Sequence, residues 1–195
     1  MRMMKAGMLI LACSILLPVT GCSNAHKKDV KVVNTMVCKA VDAPLSSEWV
    51  FDMNSNNQIL SIRLNTDITY EKMQEALPKG TKQDFINIYM QQGEKLGNDY
   101  DYIQNKYPDK SWFKSEFNYD DSTMNIHSSY LFNISNERFN YELENGLLNE
   151  FGLDNMYNEK KKGFFYDESS IQNNLFGNTQ MKCETLRSIN EEDLE

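Results

Sequence analysis

The chain has 195 residues and four cysteines, Cys13, Cys22, Cys38 and Cys183, which are its most chemically specific side chains. A thiolate can act as a nucleophile, a metal ligand or a disulfide partner. Cys22 differs from the others in its surroundings, because it directly follows Gly21 at the end of an N-terminal apolar segment. Its chemistry therefore depends on what that segment is.

The N-terminal segment has the pattern of an export signal. Arg2 and Lys5 give it positive charge, and residues 6–17 are apolar except for Gly7 and Ser14. A basic start, an apolar run of about 7–15 residues and small residues at the cut are typical of a secretory signal. The run is too short for a spanning helix, which needs about 20 apolar residues. We therefore predict that residues 1–21 are a signal peptide.

The end of this segment is more specific. Val19-Thr20-Gly21-Cys22 resembles the lipobox of bacterial lipoproteins, in which an aliphatic residue and two small residues precede the cysteine. The resemblance implies cleavage between Gly21 and Cys22 and a diacylglyceryl group on the Cys22 thiol. Residues 22–29 would then be a lipidated cysteine and a short tether, and the domain would lie on the extracytoplasmic face of the cell membrane. The alternative is an ordinary secretory cut that leaves Cys22 as a disulfide partner.

If Cys13 leaves with the signal and lipid occupies Cys22, two thiols are left over. Cys38 and Cys183 then stand in a chain exported to an oxidising compartment, where such a pair most often forms a disulfide. The alternative is two separate buried thiols. No Cys-x-x-Cys spacing indicates a redox-active pair.

Metal binding by imidazole is weakly supported by the sequence. The chain has two histidines, His26 in the tether and His127 in a predicted strand, whereas a zinc site takes three or four nitrogen or sulfur ligands. We predict no metal and no cofactor, and we interpret His127 as an ordinary strand residue.

Asp52, Asn54 and Asn56 alternate like the first ligands of a calcium loop. That loop needs Gly at position 6 and Glu at position 12, whereas this chain has Asn57 and Arg63 there. A hairpin turn explains the asparagines better, because Asn tolerates positive φ.

The sequence contains no hydrolase or phosphate-binding motif such as Gly-x-Ser-x-Gly or a glycine-rich loop. No catalytic residue is therefore predicted, and a non-enzymatic domain is favoured. Carboxylates are plentiful, so a hydrolase with an unmarked acidic pair stays an alternative. Aromatic residues such as Trp49 and Trp112 are expected mainly in core pairs across strands, with a ligand groove as the second possibility.

Charge excludes one class of partner. Removing residues 1–21 takes away Arg2 and Lys5, so basic residues fall from 20 to 18 against 28 acidic ones, and the net charge falls from −8 to −10. Nucleic-acid binding requires a basic face, so nucleic acid is excluded as a partner. The partners expected are the membrane, through lipid on Cys22, and a protein or cell-wall ligand.

The pattern of elements predicts one α+β domain over residues 30–187, followed by an acidic tail at 188–195. Three strands, a helical stretch, two strands, a helix and a last strand follow one another in the sequence. Because the strands pair as hairpins, we expect an antiparallel sheet with helices on one face. The predicted elements cover 28–40, 48–53, 58–65, 69–77, 81–103, 112–119, 123–134, 135–151, 167–175 and 178–186.

In that order of features the chain resembles the YehR-like group of small bacterial lipoproteins. The likeness is greatest over residues 105–134, which contain Trp-Phe-Lys-Ser-Glu-Phe-Asn-Tyr-Asp-Asp. It covers about half of the chain and implies an α+β fold and a membrane-anchored location, with no functional residue. The chain departs from the group at its first hairpin turn and at the ends bearing Cys38 and Cys183. The function expected is binding or interaction, with a cell-envelope hydrolase or an accessory subunit of a membrane complex as alternatives.

Overall fold

A computed structural model of the chain describes residues 31–108, 110–173 and 181–188. The predicted signal peptide, Cys22 and the tether to residue 29 lie outside the described residues. The predicted tail lies outside them as well, apart from residue 188, which ends the last strand.

The protein has the predicted α+β fold, built on a six-stranded antiparallel sheet with helices packed against it. Its strands are β1 (Asn34–Asp42), β2 (Leu45–Met53), β3 (Ile59–Ile68), β4 (Phe113–Asp120), β5 (Asn125–Asn133) and β8 (Lys182–Ser188), with two short strands, β6 and β7, described below. The strand order across the sheet is β4-β5-β3-β2-β1-β8. The helices are α1 (Tyr70–Ala76), α2 (Lys82–Lys106), α3 (Tyr141–Glu150) and α4 (Glu168–Ile171).

Asparagine makes the turn of the hairpin between β2 and β3. The Asn54 side-chain oxygen accepts hydrogen bonds from the backbone N–H groups of Asn56 and Gln58, at 2.9 and 3.1 Å. Asn57 has a φ of 58°, a conformation that Asn adopts more readily than most residues. The prediction of a hairpin turn in place of a calcium loop is therefore confirmed.

The long helix α2 begins at a capping box formed by Thr81 and Asp84. The Thr81 hydroxyl accepts from the backbone N–H of Asp84, and the Asp84 carboxylate accepts from the backbone N–H of Thr81. The helix then runs unbroken for 25 residues. Gly93 and Gly97, which weaken the sequence case for one helix, lie in its middle.

The helices cover one face of the sheet, and the core lies between the two layers. Side chains alternate across the strands, so that Trp49, Phe51 and Met53 of β2 all point to the helix side and are buried. The core between sheet and helices also contains large side chains from β3, β5 and α3, among them Ile62, Phe132, Leu147 and Leu148. A second cluster joins α1 and the start of α2 to the sheet and contains Ile68, Met73, Phe85, Tyr89 and Ile126.

The start of α3 differs from the prediction. The Ser135 hydroxyl donates back to the Asn133 side chain, so Ser135 does not cap the helix. Asn140 does, accepting from the backbone N–H of Glu142 at 3.0 Å. With this later start, Leu147 and Leu148 form the buried face, and Leu143 is 78% exposed.

A small hairpin follows α3 where the sequence suggests only a polar segment. A 3₁₀ turn at Asp154–Met156 leads into β6 (Tyr157–Asn158), which pairs with β7 (Gly163–Phe164). Aromatic stacking holds this unit on the core, because the rings of Tyr141 and Tyr157 lie 3.5 Å apart. The predicted short helix after it is α4, with Asp167 as its cap.

Candidate functional site

Cys38 and Cys183 face each other on β1 and β8 and form a disulfide. Cys38 is completely buried. The bridge thus joins an edge strand to the strand beside it, near the beginning and the end of the described chain. Its position on two paired strands indicates a structural role. Gly21 and Cys22 lie outside the described residues.

His127 lies on the sheet face opposite the helices, as an ordinary strand residue. Its Nδ1 is 2.7 Å from a carboxylate oxygen of Asp67, and each side chain is more than a third exposed. The neighbour of His127 on β4 is Asn118, not a serine or cysteine. In the part of the chain that the structure describes, no three His, Cys, Asp or Glu side chains lie close enough to hold a metal.

A groove between α2 and β4 is a large concave site formed by the described residues. We call it the α2–β4 groove. It has a volume of about 680 Å³, within the range of about 300–1,000 Å³ found for ligand sites. Its lining residues are Asn87, Tyr89, Met90, Gln91, Gly93, Glu94, Gly97, Asn98, Asp101, Phe117 and Tyr119.

Two glycines on one face of α2 let the helix lie close to the sheet at this groove. A methyl group on Gly97 would be 3.4 Å from the ring of Phe117, and one on Gly93 would be 3.6 Å from Ile126. Both distances are ordinary van der Waals contacts. Because both glycines line the groove, a side chain at either position would occupy part of its volume.

Aromatic rings from β4 and α2 form one wall of the groove. The rings of Phe117 and Tyr119 lie 6.0 Å apart, and the Tyr89 ring lies 6.1 Å from that of Tyr119. The Tyr89 hydroxyl donates to the Asp121 carboxylate at 2.7 Å. Burial, and then this hydrogen bond, raise the pKa of Tyr89 well above its ordinary value. Tyr89 is therefore a fixed, neutral wall of the groove.

The helix side of the groove is polar and acidic. Glu94 and Asp101 supply carboxylates, and no lysine or arginine occurs among the described lining residues. Met90 and Tyr119 leave large apolar surfaces uncovered, with 62% and 55% of their surface exposed. Exposed apolar surface rimmed by polar side chains is typical of interaction sites.

The arrangement suits binding better than hydrolysis. Glu94 and Asp101 are seven residues apart on one helix, which places them about 10 Å apart along its axis. A glycosidase pair flanks the scissile bond from opposite sides, whereas both of these acids lie on the same side of the groove. The sequence alternative of a paired-carboxylate hydrolase therefore gains no support here.

Comparison with known proteins gives one distant likeness. No protein-family model matches the chain, and no curated protein matches it. An NMR structure of a protein from Streptococcus pneumoniae TIGR4 aligns with this chain at 13% identity and a TM-score of 0.40. The alignment covers 93% of this chain and 99% of the Streptococcus pneumoniae chain. A likeness this distant gives no information about ligand or activity. The YehR-like resemblance and the lipoprotein signal stay predictions.

The sequence predicts only part of this site. Trp49 and Trp112 are buried core residues, as the pairing of aromatics across strands predicts. Phe117 and Tyr119, on the same pattern, line the groove instead, because β4 is an edge strand. The available signal was Gly93-x-x-x-Gly97, which places both glycines on one helix face.

Proposed function

We propose that this chain is a bacterial lipoprotein whose exported domain binds a ligand in the α2–β4 groove without catalysing a reaction. The N-terminal part of the proposal rests on the residues before Cys22, which match an export signal ending in a lipobox. A diacylglyceryl group on Cys22, with a further acyl chain on its amino group, would hold the domain stably at a membrane, where a single chain is marginal.

The observation that supports binding is the groove itself. It combines a ligand-sized volume, an aromatic wall and a rim of amides and carboxylates. Sites of this composition bind through the apolar surface and orient the ligand through a few polar groups. Exposed Met90 lies in the groove, where a bound partner would cover it.

The short tether would keep this groove near the membrane. Residues 23–29 span no more than about 25 Å when fully extended. A ligand of the domain is then expected at the cell envelope, as part of a protein or of the wall.

Photocrosslinking in intact cells tests the binding role. A benzoyl-phenylalanine replacing Met90 should form adducts with a ligand in the groove. The matched control replaces Leu143, which is more exposed but lies on α3, outside the groove. Adducts at position 90 alone would support the proposal, with protease and muramidase digestion telling protein from wall glycan. No adduct at position 90, or equal adducts at both positions, would refute it.

A further inference from the structure

Strand β4 presents unpaired backbone groups next to the groove. Within the described residues it pairs only with β5 and forms one edge of the sheet. The Asn133 N–H donates to the Trp112 carbonyl, and hydrogen-bonded pairs alternate along antiparallel strands. With the observed register, Lys114, Glu116 and Asn118 bond to β5. The N–H and C=O groups of Ser115, Phe117 and Tyr119 therefore point outward from the sheet.

The same residues that expose their backbone also line or border the groove with their side chains. Phe117 and Tyr119 line it directly, and Ser115 accepts a hydrogen bond from Gln104 of α2. An antiparallel strand added to β4 would place its own hydrogen-bonded residues opposite these three. Side chains of directly opposed residues lie on the same face of a sheet. Every second side chain of the added strand would thus enter the groove toward α2.

Charge indicates what those side chains are. The groove has carboxylates from Glu94 and Asp101, and Asp121 lies beside Tyr89. Lysine and arginine combine an aliphatic stem, which suits Phe117 and Met90, with a cationic end that reaches the acidic rim. A second copy of this chain is a poor occupant, because each copy would have a net charge of −10 after removal of residues 1–21 and the copies would repel.

We infer that the groove binds an extended, lysine- or arginine-bearing peptide segment of another protein, which adds to β4 as a seventh, antiparallel strand. The inference rests on the proposed function and names its partner class. Main-chain hydrogen bonds to β4 provide affinity, and the groove selects alternate side chains, as in other cases of strand addition.

A pair of N-methylated peptides tests the mode of binding. The probe is the blocked heptapeptide Lys-Val-Lys-Thr-Lys-Val-Lys, whose lysines would face the groove. Methylating the backbone nitrogens of the last three lysines removes three donors that face β4, so affinity should fall about tenfold or more. Methylating the valine and threonine nitrogens leaves those donors and should change affinity by less than about twofold. Both isomers have the same charge, so equal effects of the two would overturn strand addition.

Hydrogen exchange and variants of the acidic groove residues test whether the peptide binds at the α2–β4 groove. The probe should slow amide exchange at Ser115, Phe117 and Tyr119. The double variant Glu94→Gln/Asp101→Asn should weaken the probe about tenfold, whereas Glu71→Gln/Glu137→Gln, which removes two exposed acids outside the groove, should not.

A binding experiment with chitotetraose, a wall-type oligosaccharide, distinguishes the inference of a peptide ligand from the more general proposal that the groove binds a ligand. If the sugar binds at the groove and the peptide does not, the inference of a peptide ligand is overturned, while the groove remains a ligand site. Crosslinks absent from position 90 would refute the groove altogether.

Discussion

Cys38 and Cys183 show how one covalent bond serves the sheet. They close a loop of 145 residues, and in the chain-entropy model such a closure stabilises the fold by about 4–5 kcal/mol. We expect reduction, or Cys38→Ala/Cys183→Ala, to lower the free energy of unfolding by up to this amount. Non-reducing peptide mapping should recover the two cysteines in one crosslinked peptide. Two free thiols in the exported protein would contradict the bridge.

The bridge should also have a local signature. Among the described strands, β8 pairs only with β1. After reduction, the amides of β8 and of the adjoining edge of β1 should exchange faster, while the β4–β5 hairpin should keep its protection. Uniform loss of protection would mean that the bond stabilises the fold only as a whole.

Buried tyrosine hydroxyls predict a loss of stability at high pH. Burial raises the pKa of Tyr89, Tyr130, Tyr141 and Tyr166, in the case of Tyr166 to about 12. Because the unfolded chain ionises near the ordinary value of 10.0, the stabilisation is complete below pH 10 and is lost as the pH rises from 10 toward 12. Urea unfolding at pH 9, 10 and 11 measures this slope.

The Tyr166→Phe variant isolates one contribution. It removes one group whose pKa differs between the folded and unfolded states, so stability should fall less steeply with pH than in the unaltered protein. An identical slope in the two proteins would contradict the assignment. The absorbance of tyrosinate gives an independent measure of the same titration.

At the scale of elements, the glycines of α2 lower the stability of the helix and leave space in the α2–β4 groove. Ala is more favourable than Gly inside a helix by about 0.5–1 kcal/mol, and the methyl of Gly97→Ala has room, at 3.4 Å from Phe117. This variant should therefore unfold at higher urea concentration. It should also give fewer crosslinks from position 90, because the methyl group occupies the floor of the groove.

Gly146→Ala is the matched control. Gly146 is in the middle of α3, and a methyl there would lie 3.5 Å from the Tyr107 hydroxyl, outside the groove. It should raise stability to a similar extent and leave crosslinking unchanged. If both variants reduced crosslinking equally, the effect could not be assigned to the groove.

The elements divide into those that local signals predict and those that tertiary contacts decide. Thr81 with Asp84, and the asparagines at 54–57, satisfy backbone groups within a few residues, so their patterns predict the structure directly. The cap of α3 depends on whether Ser135 bonds forward or back to Asn133, which a serine alone does not reveal.

The groove and the small β6–β7 hairpin also depend on contacts between elements, so local sequence patterns do not predict them. Tyr157 and Phe164 both contact the ring of Tyr141, which belongs to α3 and not to the hairpin. In the same way, the value of Gly93 and Gly97 appears only when β4 and β5 lie beneath them. From the sequence alone, glycine in a helix indicates only lower helix stability. The space that it leaves beside the sheet is visible only in the folded structure.

For the whole molecule, the acidic surface and the proposed anchor act together. A net charge of −10 after cleavage would repel anionic lipid, so the surface charge gives the domain no affinity for such a membrane. Membrane attachment would then depend on the proposed lipid at Cys22. The groove would be left free for a ligand. Among the described helices, none combines the length and the hydropathy that a membrane-spanning segment requires.

Lipid attachment at Cys22 is directly measurable with an alkyne-tagged fatty acid fed to growing cells. The unaltered protein should take up the label, and Cys22→Ala should lose it completely, because no other thiol follows a lipobox. Cys13→Ala is the matched control: its thiol lies within the predicted signal peptide and leaves with it, so labelling should persist. Label on Cys22→Ala, or none on Cys13→Ala, would contradict the anchor. Fractionation of the same cells should find the labelled protein with the membrane, since two or more acyl chains at about 0.8 kcal/mol for each buried methylene hold it there against the repulsion of its acidic domain.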